Sequence, residues 1–125
     1  MIPKNIQELT INACIYLESK GYKFNMPDIR WRHGTSKYSS GTCYVGDHIT
    51  ITGGKLLIDR KMVLLHELAH WILPITEHHS EKFWDIAWDL YRRFKIPINH
   101  AKHREFKYKK TAIVSYRKNK KTDRI

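Results

Sequence analysis

The chain has 125 residues, 42% of them hydrophobic, and carries 23 Lys and Arg against 12 acidic residues for a net charge of +11. That length suits one domain with one modest core and excludes a second independent core. No apolar run approaches the roughly 18 residues of a membrane span, and the opening MIPKNIQELT lacks the basic and apolar regions of a signal peptide, so a cytoplasmic protein with no membrane partner is expected.

Residues 4–20 read as a helix, because Ile6, Leu9, Ala13, Tyr16 and Leu17 recur at helical spacing and Gly21 follows as a stop. Beyond Pro27, Ile29, Trp31 and His33 alternate with Arg30 and Arg32, as in a half-buried strand. Residues 34–40 read as a loop, Thr42–Val45 as a short strand, Gly46-Asp47 as a hairpin turn and His48–Thr52 as a β-branched strand. A small three-stranded sheet, antiparallel throughout, is the expectation. A second helix is predicted from Asp59 to Leu73, closed by Pro74, and a third from Glu77 to Phe94, with Thr76 as its N-cap. Phe83, Ala87, Leu90, Tyr91 and Phe94 form the apolar stripe of that third helix, widened by Trp84 and Trp88.

Charge then changes along the chain. Residues 100–125 hold ten Lys or Arg and two acids, so the chain divides into a domain of residues 1–99 and a basic tail of residues 100–125. Such a tail suits a polyanionic partner such as nucleic acid, or serves solubility alone. Its one apolar patch, Ala112–Val114, predicts a short strand or helical turn. The two cysteines, Cys14 and Cys43, form no C-x-x-C pair, which excludes a zinc ribbon or dithiol redox motif and suits a reducing compartment.

The segment His66-Glu67-Leu68-Ala69-His70 fits H-E-x-x-H. Residues four apart on a helix share a face, one turn apart, so both imidazoles can meet one ion. The Glu between them reaches a water at the metal without being a ligand. Zinc lowers the pKa of that water and polarises a carbonyl, and the Glu accepts its proton. The surrounding Val63, Leu64, Leu65, Leu68, Ala69, Trp71 and Ile72 predict a buried helix, where unpaired polar groups cost about 1–3 kcal/mol each and a metal ion would compensate them. A hydrolytic site needs a third protein ligand. His79 is preferred, since it shares a face with Phe83; His78, Glu77 and Glu81 are the alternatives.

HELAH, followed after a short loop by His79-Ser80-Glu81-Lys82-Phe83-Trp84, resembles the small zincin metallopeptidases of the SprT-like group and the related YgjP and WLM-type proteins. These carry HExxH on one helix and a third His opening the next, often as H-G-x-x-F or H-S-x-x-F-W. The resemblance covers roughly residues 4–95. It implies zinc held by His66, His70 and His79, Glu67 as general base, and a peptide or protein substrate. It also implies a minimal α+β zincin: an N-terminal helix, a small sheet, then two metal-bearing helices. The zinc ribbon of many SprT-like proteins has no cysteine counterpart here. The short length and Lys-rich end would also suit a phage or mobile-element protein.

In the fold so implied, an extended peptide adds to a sheet edge, and His48–Thr52 is the candidate edge. An oxyanion donor is required beyond zinc, with Tyr44, Tyr91, His78 and Arg92 as candidates. His33 and His48 read as partly buried strand residues, and His100 and His103 as solvated tail residues.

Overall fold

The structure, a computed structural model, describes residues 2–32, 41–52, 57–105 and 110–119. It is α+β, with helices α1 (Lys4–Ser19), α2 (Leu57–Trp71), α3 (Glu81–Arg93), α4 (Ile98–Glu105) and α5 (Lys110–Asn119) and strands β1 (Asp28–Arg32), β2 (Gly41–Tyr44) and β3 (His48–Thr52). Helix α2 lies at the centre, touching α1, α3 and the sheet. That placement explains why Met62, Val63, Leu64, Leu65, Leu68 and Ala69 are all buried: a helix enclosed on several sides has to be apolar nearly all round.

Helix α1 packs against it and buries Ile6, Ala13, Cys14 and Leu17. The chain then leaves the helix through Gly21, whose φ of +97° is a conformation that other residues resist. Strands β2 and β3 form the expected hairpin, turning through Gly46 at φ +84°. The sheet as a whole is mixed, not antiparallel. Its order is β1-β3-β2, and β1 runs parallel to β3 with Asp28 opposite His48. The hairpin occupies one edge of β3, so β1 takes the other, and chain direction then makes the pairing parallel. His33 and the loop predicted for residues 34–40 lie outside the described residues.

The third predicted helix starts later than expected. Residues 75–77 form a 3-10 turn, and α3 begins at Glu81 with Ser80 as N-cap in place of Thr76. Ser80 Oγ accepts from Phe83 N–H at 3.3 Å and donates to Glu77 Oε2 at 2.7 Å. The first of these bonds satisfies a backbone N–H that a helix start leaves orphaned, and the second orients the capping hydroxyl. Along α3, Phe83, Trp84, Ala87, Trp88, Leu90 and Tyr91 are fully buried.

The segment read as a basic tail carries two helices, and the boundary at residue 100 falls inside α4. Helix α5 lies along α3, where Trp88 Nε1–H donates to Ala112 C=O at 3.1 Å and Ser115 Oγ–H donates to Asp85 Oδ1 at 2.6 Å. Lys118 Nζ bridges Glu81 and Asp85 at 2.8 Å each. His100, expected to be solvated, is half-buried and bonds Asp59 of α2 at 2.7 Å. Among the described residues, no helix is long and apolar enough to cross a membrane.

Candidate metal centre

Helix α2 presents His66 and His70 on one face, one turn apart, with Glu67 beside them. The chain must reverse to bring a third group to that face. Glu77 N–H donates to Pro74 C=O at 2.9 Å, and Ser80 N–H donates to Glu77 C=O at 2.8 Å. Between them His78 takes a φ of +37°, left-handed backbone that a side chain with a Cβ resists. The result is that His79, just before the N-cap of α3, returns to α2. His79 Nε2 lies 3.2 Å from His66 Nε2 and 3.2 Å from His70 Nε2.

The rings are held from below. His70 stacks on Phe83 at 4.1 Å between centroids, His66 meets the same ring edge-on at 4.9 Å, and His79 stacks on Trp84 at 5.7 Å. The backbone of His79 is fixed as well: its carbonyl accepts from Thr111 Oγ1–H at 2.8 Å, and Thr111 Oγ1 accepts from Trp84 Nε1–H at 3.1 Å. His66 Nδ1 lies 2.7 Å from Glu105 Oε2, which also accepts from the Tyr91 hydroxyl at 2.8 Å.

This arrangement fits a divalent ion. With Glu105 as acceptor, His66 carries its proton on Nδ1, so its Nε2 presents a lone pair to the cluster. Burial, and then the neighbouring His66, His79 and His78, push the His70 pKa down to about 3, so His70 is a neutral ligand as well. One proton on His79 Nε2 cannot serve both neighbours with good geometry, whereas a cation accepts all three nitrogens. Tetrahedral nitrogen ligands about 2.0–2.1 Å from one ion lie about 3.3 Å apart, close to the two separations of 3.2 Å. His66, His70 and His79 are the group among the described residues that could hold a metal ion.

The alternative third ligands lie outside the cluster. Glu77 accepts from Ser80, Glu81 accepts from Lys118, and His78 is exposed. Cys43 is half-buried nearby, but burial, reinforced by Glu67, pushes its thiol up to about 12, so it stays protonated.

Glu67 is 8% exposed. Burial raises its pKa above the usual carboxylate range, and Glu105 pushes the same way; His66 and a hydrogen bond from the Cys43 backbone pull it down. Glu67 is thus lodged between the histidines and strand β2. A cleft of about 330 Å³ opens there, lined by residues 41–43 and Val45 of the β2 hairpin, by Pro74 and His78, and by Glu67 with the three histidines.

The structure corrects the expected substrate edge. Strand β3 is paired on both sides, and the strand edge beside the cleft is β2. His48 stacks on Tyr44 at 4.5 Å and bonds Asp47 at 3.0 Å. Of the four oxyanion candidates, His78 lines the cleft; Tyr44, Tyr91 and Arg92 do not, and the Tyr91 hydroxyl is committed to Glu105. Sequence reasoning misses Glu105 and Thr111, because both fall in the basic C-terminal segment. Glu105 alone left a signal, as one of only two acids among ten basic residues.

No family model, curated protein or solved structure significantly matches this chain.

Proposed function

We propose that the chain is a zinc-dependent metallopeptidase of the kind its motifs resemble, the SprT-like zincins, with peptide or protein substrates. The observation that carries this reading is the placement of buried Glu67 between a three-histidine cluster and an edge strand that line one cleft. Three imidazole nitrogen donors suit zinc, and a cleft on the same side leaves room for a fourth, exchangeable position.

A bound zinc ion would supply a water of lowered pKa and an electrophile for a peptide carbonyl. The chain's own residues do the rest. Glu67 takes the water proton and carries it to the leaving amine; a carboxylate of raised pKa holds that proton more readily than an ordinary one. Strand β2 offers its outer edge to an extended peptide. His78 at the cleft wall is the candidate donor to the developing oxyanion.

The test is Glu67→Gln, assayed on an unfolded protein and on a mixed peptide library with zinc content measured in parallel. Loss of a general base predicts cleavage reduced by about 10²–10⁴-fold, with zinc retained. Cleavage by the variant at the parental rate would sink the mechanism.

A further inference from the structure

Glu105 stands outside the mechanism above, yet it is among the most deeply placed acids, at 4% exposure. It arrives from α4, 39 residues beyond His66. A buried carboxylate is costly unless its oxygens are matched by donors. Here one oxygen, Oε2, receives two: the Tyr91 hydroxyl at 2.8 Å and His66 Nδ1 at 2.7 Å. Tyr91 is itself fully buried, packed edge-on to Trp88 at 5.6 Å between centroids. Its hydroxyl therefore holds the carboxylate in one rotamer, and the carboxylate holds the imidazole.

We propose that Glu105 is the positioning residue of the metal site, fixing His66 as the Nδ1–H tautomer with Nε2 directed at the ion and strengthening it as a donor. The inference rests on reading the histidine cluster as a metal centre. A ligating imidazole has two nitrogens and only one faces the metal; a partner on the other decides which, and it also raises ligand basicity. Tyr91 extends the chain of contacts one step further, so the site is oriented from α3 and α4 as well as from α2.

A merely structural Glu105, tying α4 to α2, would stabilise the fold equally with and without metal. A positioning role shows in the metal equilibrium. The experiment is zinc competition against a chromophoric chelator for the parent, Glu105→Gln, Glu105→Ala and Tyr91→Phe, with thermal unfolding of each metal-free protein. Zinc affinity is expected to fall about 10–100-fold in Glu105→Ala, less in Glu105→Gln, which keeps a neutral acceptor, and least in Tyr91→Phe. Nitrogen-resolved NMR of the metal-free parent should show His66 as the Nδ1–H tautomer, lost in Glu105→Ala. Glu105→Gln keeps the test open if the alanine variant does not fold. Parental zinc affinity in the folded variants, or an Nε2–H tautomer in the parent, would overturn the assignment and leave the metal centre standing. A parent that binds no zinc would remove both.

Discussion

At the scale of single residues, small differences of backbone decide which histidines join the cluster. His78 and His79 are adjacent, yet the left-handed φ of His78 leaves its ring exposed and swings His79 into contact with α2. Removing His79 should therefore lower zinc affinity by more than about 100-fold, beyond the loss expected for an outer partner. His78→Ala should leave zinc content unchanged. Elemental analysis of the two purified variants checks this, and zinc retained by His79→Ala at parental stoichiometry would reassign the third ligand. HELAH was legible because its logic is local: helical spacing alone puts two imidazoles on one face. The convergence of His79 was legible only as a preference. Its basis differs from the one read in the sequence, since His79 precedes the helix rather than riding on it. Glu105 was not legible, because a contact 39 residues away leaves no trace in periodicity.

At the scale of elements, what matters is how closely β2 approaches α2. Gly41 is the point of contact. A Cβ built there would sit 2.5 Å from Val63 Cγ1, 3.1 Å from Thr50 O and 3.4 Å from Glu67 Cγ. Val63 is buried on α2 and has little room to yield, so Gly41→Ala has to lift the strand. Overpacking of this kind costs about 1–3 kcal/mol, and the displaced strand also withdraws the Cys43 backbone donor from Glu67. The variant should thus lose both stability and cleavage while keeping zinc, because none of the three histidines lies on the strand. Thermal unfolding beside a zinc assay would show it; parental stability would mean that the strand accommodates the methyl group. Alternation marks β1 as a strand, β-branched residues mark β3, and Gly46-Asp47 suggests the hairpin that joins β3 to β2, all from local pattern. Strand order is a different kind of fact. Nothing in HITIT says that β1 will pair on its far side, and so local pattern alone does not distinguish the central strand from an edge.

For the molecule as a whole, the histidine cluster draws on segments far apart in the chain. Its histidines come from α2 and from the turn before α3, its carboxylate from α4, and the hydroxyl that fixes His79 from α5. The two C-terminal helices hid in a basic sequence because they dock with few apolar residues. Ala101, Ala112 and Tyr116 are buried, but much of the remaining attachment is polar, with Lys102 set over the Tyr116 ring at 5.0 Å. Long basic side chains cover apolar surface with their stems while their charges stay in water, which weakens the hydrophobic period. An ion bound at the junction should stabilise all of these elements together. At a free zinc concentration of 100 times Kd the linkage is about 2.7 kcal/mol, which for a domain of this size raises Tm by roughly 10 °C. Thr111→Val removes the hydroxyl that meets both the His79 carbonyl and the Trp84 indole, so its zinc-dependent rise at the same zinc concentration should be several degrees smaller than the parent's. Scanning both proteins with zinc and with a chelator decides the matter. Equal zinc shifts in the two would mean that α5 lies over the site without supporting it.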